Sequence, residues 1–384
     1  MKKQIILLLF IFRFLGISAF TLSDSAVVSI FTCAPGKLLY AQFGHTAVRV
    51  LDVENNIDLV FNYGTFNFHT ENFYLKFVKG ETDYQLSVYD TRFFYIDYSS
   101  RARVWEQKLK LTQTEKQQLF DALLTNTEPQ NRVYRYNFFF DNCSTRPHDL
   151  VEQNVSGKIV YTQQTEPQSF RQLVTSYTGK NSWNTFGIDL LLGVPDDRIA
   201  TDRERFFLPV EMMNFLETAQ VDRNGVVSPL VEKAETVIEN ELNDVFTPWY
   251  ISPMFVMSAL LLVVALLSFY FRNKSLIWLD AILFSATGLL GMIIFFLVFF
   301  SVHPAVSPNF HLLWAQPLQL IFVILLPFKK LRKFLSYYQM LNAVLLIVLM
   351  AGVFFIPQQF NAAMHLLWAA LFLRAIFFIR YAKK

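Results

Sequence analysis

The stretch from Tyr136 to Pro147, YNFFFDNCSTRP, brings the thiol of Cys143 to what local chemistry marks as a helix start. Pro147 lacks a backbone donor and is tolerated in a first helical turn, and Ser144 is a good N-cap residue. A helix is therefore expected from near Thr145 to about Asn154, with Cys143 just ahead of it. Unpaired amides and the positive end of the helix dipole favour a thiolate at such a place, pulling it below the usual value of about 8.5. The same amides are candidates for an oxyanion hole. A small buried thiol filling a core gap has the same local sequence. A base, an orienting group and the compartment must decide between the two readings.

The chain has 384 residues, of which 53% are hydrophobic and 41 are Phe. With a mean hydropathy of +0.31 it is too apolar to be wholly soluble, so part of it must lie in lipid. Net charge is only +3, and no basic run before residue 240 is interleaved with aromatics as nucleic-acid binding requires. Cys33 and Cys143 are too few for a disulfide framework and lack metal-ligand spacing, although one disulfide between them is the chief rival to a catalytic thiol. No H-E-x-x-H or paired-Cys motif supports zinc, no G-x-S-x-G elbow supports a serine nucleophile, and no cofactor is expected.

Residues 1–19 have the three parts of a secretory signal peptide: Lys2 and Lys3, the apolar run Ile5 to Phe12, then Gly16, Ser18 and Ala19. Arg13 and Ile17 are poor fits, leaving an uncleaved anchor as the alternative; either way the domain after residue 19 is exported. Residues 20–245 have the composition of an aqueous α+β domain. Strands are expected at 27–31, 45–52, 57–63, 84–89 and 133–139, and helices at 112–126, 169–177 and 210–219. Residues 249–384 read as an all-α domain of five membrane crossings, near 250–271, 276–300, 311–328, 337–356 and 361–379. Positive clusters at 272–274, 329–333 and the C-terminus alternate with connections free of Lys and Arg. The positive-inside rule then puts the soluble domain outside the membrane and the C-terminus in the cytosol.

A base for Cys143 must be His45, His69 or His148. If residues 44–52 and 57–64 form a hairpin, His45 pairs opposite Gly64 and Ala47 opposite Asn62. Val48, Val50, Phe61 and Tyr63 then share a core face, and His45, Arg49, Asp58 and Asn62 the other. Diagonal neighbours are within reach, so Asn62 is expected to orient His45, while Asp58 lies too near the hairpin tip. Gly44 and Gly64 are expected to leave open space over the imidazole. His148 follows Cys143 on the same helix and reads as a solvated residue. His69, in an aromatic loop, is left as a surface residue or substrate contact. Asp280 and Arg374 are expected to snorkel or pair near the cytosolic side.

A histidine on a hairpin followed by a helix-starting cysteine resembles the permuted papain-like fold of lecithin:retinol acyltransferase-like and NlpC-type proteins. The words FGHTAVRV (43–50), FNYGTFNF (61–68), NFYLKFVKGETDYQL (72–86) and YNFFFDNCSTRP, with GVPDDRIATDRERFFLP (193–209) and HPAVSPNFHLLWAQP (303–317), resemble the Lnb family of Bacteroides-type bacteria. That resemblance implies a lipoprotein N-acyltransferase of the bacterial inner membrane, its soluble domain in the periplasm, working from a phospholipid acyl donor to the α-amine of a diacylated lipoprotein. It makes Cys143 the nucleophile and His45 the base; Asn62 rests on the hairpin argument alone. Tyr63, Asn142, Arg146, His311 and Trp314, which lie within these words, are the expected substrate contacts. The loop Phe66 to Tyr74, the Met212, Met213 and Phe215 face, and the region of Phe310 and Trp314 are the expected walls of a dry pocket. A cell-wall peptidase or amidase uses the same dyad and is the rival enzyme class; an exported assembly module with a Cys33–Cys143 disulfide is the non-enzymatic one.

Overall fold

The computed structural model describes residues 20–66, 71–163, 165–241, 246–272 and 274–382, so the segment 1–19 and His69 lie outside the described residues. The first half opens with strands β1 (Val27–Cys33), β2 (His45–Asp52) and β3 (Ile57–Thr65), helix α1 (Phe73–Lys79), β4 (Asp83–Asp90), α2 (Thr91–Tyr98) and β5 (Val104–Lys108). It continues through α3 (Gln113–Thr127), β6 (Val133–Arg135), α4 (Thr145–Asn154), β7 (Lys158–Val160), α5 (Phe170–Thr178), α6 (Trp183–Leu191) and α7 (Pro209–Thr218). Strands β8 (Gln220–Arg223), β9 (Val226–Pro229) and β10 (Glu235–Ile238) complete it. Seven strands form one antiparallel sheet in the order β10-β5-β1-β2-β3-β4-β6, and β7-β8-β9 form a small second sheet.

Alternation along β2 and β3 sends Val48, Val50, Phe61 and Tyr63 to one face, where they meet Leu119, Phe120 and Leu123 of α3, Val151 of α4 and Met212 and Phe215 of α7. Each such apolar side chain contributes roughly 1.5–3 kcal/mol on burial. Ala47 and Val60 go to the other face, packed with Phe31, Cys33 and Phe94, the last from α2. Thr112 and Glu115 form a capping box at the start of α3, which fixes that helix where the sequence puts it. The strand expected over 133–139 stops at Arg135. Asn137 exchanges backbone hydrogen bonds with Asp141, and its Oδ1 accepts from the amides of Phe139 and Phe140, so side-chain chemistry converts the run into a turn.

The second half is all-α: α8 (Pro253–Tyr270), α9 (Ile277–Phe300), α10 (Leu318–Leu325), α11 (Arg332–Gly352) and α12 (Ala362–Ala382). All but α10 belong to helices long and apolar enough to cross a membrane. The span expected at 311–328 is a 3-10 turn, Phe310–Leu313, followed by α10, whose eight residues reach only about 12 Å. It still passes through the bundle. At one end His311 hydrogen-bonds the Asp189 carbonyl of the periplasmic domain, and just beyond the other end Arg332 bonds Tyr381 near the C-terminus. Gly291 of α9 is what admits the irregular backbone, since a side chain there would strike the Ala315 carbonyl. Asp280 and Arg374 form a buried bidentate pair, with Ser268 accepting a further Arg374 hydrogen bond. The two halves are joined closely: Phe186 and Leu190 of α6 sit in the membrane-domain core, and the Gly193 and Val194 amides donate to Ala305 and Pro308. A periplasm-only reporter fused after residue 245 is expected to be active and one fused after Lys384 silent; activity at the C-terminus would reverse the orientation.

Candidate active site

β2 starts on His45 because Gly44, at φ +80, turns the chain where a side chain would lie 2.6 Å from the Cys33 carbonyl. The β2–β3 register, from Val48 opposite Phe61 to Asp52 opposite Ile57, is the one expected; the ladder ends at Val48–Phe61, and the pairing of β3 with β4 shifts between Asn62 and Thr65, so the expected His45–Gly64 pair is not part of it. His45 Nε2 lies 2.5 Å from Asn62 Oδ1. The Asn62 Nδ2 donates to the Tyr89 hydroxyl at 2.6 Å, which holds the amide oxygen toward the imidazole. An amide oxygen only accepts, so the network assigns the proton to Nε2 and leaves Nδ1 for the thiol. Tyr98 of α2 stacks over the ring, with centroids 6.2 Å apart. Asp58 is engaged elsewhere, in a bidentate pair with Arg49.

Cys143 precedes α4 and approaches β3 over Gly64. At φ +81 this glycine takes a conformation side chains avoid, and a Cβ there would sit 3.1 Å from that of Cys143. The open space expected over the imidazole is therefore filled by the cysteine itself. Burial pushes the Cys143 thiol up, but the charge and hydrogen bond of His45, with the Thr46 and Cys143 amides, outweigh it and the net shift is downward. For His45 burial favours the neutral ring, and Cys143 and Asn62 more than reverse this, raising it. Each of the two groups thus favours the charged form of the other. Cys143 keeps 9% of its surface open.

Cys33 lies opposite His45 on the neighbouring strand, yet both cysteines are free. Burial drives the Cys33 thiol well up, and a hydrogen bond with Tyr98 only partly offsets that, so it is held neutral. Helix α4 is capped differently from the expectation. Ser144 makes no capping bond; Asn142 Oδ1 accepts from the Ser144 and Thr145 amides at 2.7 and 3.0 Å, while its Nδ2 donates to the Phe138 and Phe207 carbonyls. Two of the amides expected to serve an oxyanion are thus occupied.

The expected substrate contacts divide sharply. Asn142 is buried with its amide committed to the turn, and Tyr63 lies in the core with its hydroxyl accepting from Asn126. His311 and Trp314 are fully buried against each other at 2.9 Å, tied to Asp189 and Trp368 rather than facing a cleft. Met212, Met213 and Phe215 are likewise buried, so the face expected as an open wall is interior. Arg146 is partly exposed but pairs bidentately with Asp141 and lies 3.6 Å over the Tyr134 ring. His148, expected in solvent, is buried against Phe206 and hydrogen-bonded to Tyr161, because α4 turns that face inward. Among the described residues, the cluster His148, Asp149 and Glu152 has its ligand atoms within 4.8 Å of one another, but Arg203 occupies it. Tyr89, Tyr98 and the Thr46 amide were not legible as site groups. Only the alternation of β4 hints at Tyr89.

Residues 18–176 match the family described as Lnb N-terminal periplasmic domain, and residues 245–384 match the Lnb transmembrane domain. The two matches together cover well over half the chain and make it an inner-membrane protein with a periplasmic domain. No curated protein and no solved structure matches it.

Proposed function

Given that the chain belongs to the Lnb family through both its periplasmic and its membrane domain, we propose that it is a lipoprotein N-acyltransferase in which Cys143, His45 and Asn62 carry the chemistry. The Cys143 thiolate attacks the carbonyl carbon of a phospholipid ester. The ester C–O bond breaks, and the leaving lysophospholipid oxygen takes the imidazolium proton of His45, leaving a thioester on Cys143. The α-amine of a diacylglyceryl-cysteine lipoprotein then attacks the thioester, gives a proton to His45 Nδ1, and expels the thiolate. Asn62 holds the ring in the tautomer both steps need, with Tyr89 behind it. No cofactor enters, and residues 1–19 serve as the export signal.

The observation that carries the proposal is the constellation of Cys143 packed over Gly64 beside a His45 ring held by Asn62 and Tyr89, on a domain fastened to a membrane bundle. A membrane domain gives access to acyl chains, and a shielded thioester held beside an amine favours transfer over hydrolysis. The test is mass spectrometry of one lipoprotein's N-terminal peptide from cells with and without this protein. One additional acyl chain on the α-amine is expected only when the protein is present. Identical N-termini would overturn the proposal.

A further inference from the structure

Helix α1 leaves four apolar side chains in the open: Tyr74, Leu75, Phe77 and Val78 are 76, 53, 52 and 39% exposed. At 100° per residue they form one continuous arc, with the buried Phe73 on one side and Lys76 and Lys79 on the other. The place of this helix is fixed by the membrane domain. The Val302 amide donates to the Lys79 carbonyl at 2.8 Å, His303 Nε2 lies 3.1 Å from the Phe77 carbonyl, and the His303 ring packs against Gly80. Val302 and His303 come directly after the outer end of α9, whose last turn bears Phe299 and Phe300, each 61% exposed. Helix α1 thus stands at the level where α9 leaves the hydrocarbon.

We infer that α1 is an interfacial helix seated in the outer leaflet of the same membrane, and that it delivers the acyl donor to Cys143. An apolar arc flanked by lysines, continuous with a membrane span, fits lipid: the arc enters the acyl boundary and the two cations meet phosphates. From it a row of rings runs toward the segment that carries Cys143. Phe73 stacks on Phe66 at 5.8 Å, Phe66 meets Tyr84 at 5.1 Å, and Tyr84 stacks on Tyr136 at 4.1 Å. Tyr136 opens the turn that carries Cys143, in which Asn137 and Asp141 exchange backbone hydrogen bonds. The delivery role rests on the acyltransferase reading; the seating in lipid does not.

Two measurements on the full-length protein in phosphatidylethanolamine–phosphatidylglycerol vesicles separate them. In the first, a phospholipid with an ether-linked diazirine chain, which cannot donate an acyl group, is photolysed and the labelled peptides are mapped. Label on residues 74–78 comparable to that on Phe299 and Phe300 is expected. Label confined to the membrane helices, with 74–78 oxidised by hydroxyl radicals instead, would overturn the seating. In the second, the double change Tyr74→Glu with Phe77→Glu is expected to lower acylation of Cys143 by bilayer phospholipid at least tenfold. Alkylation of Cys143 by iodoacetamide should stay at the wild-type rate, showing an intact site. Unchanged acylation would overturn the delivery role and leave the acyltransferase reading standing; no acyl-enzyme in the wild type would remove that reading and leave the seating standing.

Discussion

Cys143→Ser and His45→Ala are each expected to lower acyl transfer by on the order of 10³ or more while leaving the protein folded. A serine hydroxyl at this position has no depressed ionisation to exploit, and without His45 the thiol keeps its burial and loses the partner that offsets it. The double variant should be about as inactive as either single one, because the two act as a unit. Asn62→Ala leaves the His45 Nε2 proton and the Tyr89 hydroxyl without their partner, and a loss on the order of 10² is expected from a ring free to turn. Cys33→Ser should retain activity, since that thiol is held neutral away from the chemistry. The signs of the two shifts set the pH dependence. The wild-type thiolate should persist below the ordinary thiol range, so iodoacetamide alkylation of Cys143 stays fast at mildly acidic pH. In His45→Ala burial acts without its counterweight, and the alkylation profile should move to higher pH. Equal profiles for the two proteins would remove the ion pair from the account.

Arg171→Ala is the change outside the site with the largest expected effect. The guanidinium is 4% exposed, pairs with Asp197 at 2.7 Å and Asp189 at 3.2 Å, and donates to the Leu192 and Gly193 carbonyls. Those two carboxylates in turn accept from Asn361 and the Gln359 amide of the membrane domain, and Gln358 bonds the Leu192 carbonyl. Arg171 is therefore the centre of the polar joint between the halves. Its removal leaves two buried acids with part of their partners gone, a loss of roughly 3–5 kcal/mol. Thermal unfolding in detergent should begin on the order of 10 °C earlier. Arg101→Ala, which removes only an exposed pair with Asp97, should stay within about 0.5 kcal/mol of wild type. Equal stability of the two variants would show that the joint is not held by Arg171.

The hairpin register was legible because one face of residues 45–52 and 57–65 is apolar, and a slip by one residue would expose Val48, Val50 and Phe61. The start of α4 was legible from the Ser-Thr-Arg-Pro order, but the cap was misassigned: Asn142 reaches the amides that Ser144 leaves alone. Both are local competitions, and the long-range Phe207 carbonyl that fixes the Asn142 amide has no signature near residue 142. His148 and Tyr63 show the same limit. The burial of His148 is set by Phe206, far along the chain, so residue type and spacing alone placed it in solvent; Tyr63 was placed on the core face correctly, and only its hydroxyl's partner on α3, Asn126, was out of reach of the sequence. Helix α2, which supplies Tyr98, was hidden in an aromatic run without clear periodicity. The crossing at 311–328 was legible from composition, but its regular helix is shorter than the apolar run because Pro317 and the close approach to Gly291 interrupt it.

The most direct test of the central claim uses purified full-length protein in phospholipid vesicles with a diacylated lipopeptide as acceptor, followed by intact-protein and lipid mass spectrometry. The account predicts an acyl adduct on Cys143 with release of lysophospholipid, discharged on addition of lipopeptide into N-acylated product in excess of free fatty acid. No adduct on Cys143, or free fatty acid as the main product at saturating lipopeptide, would contradict it.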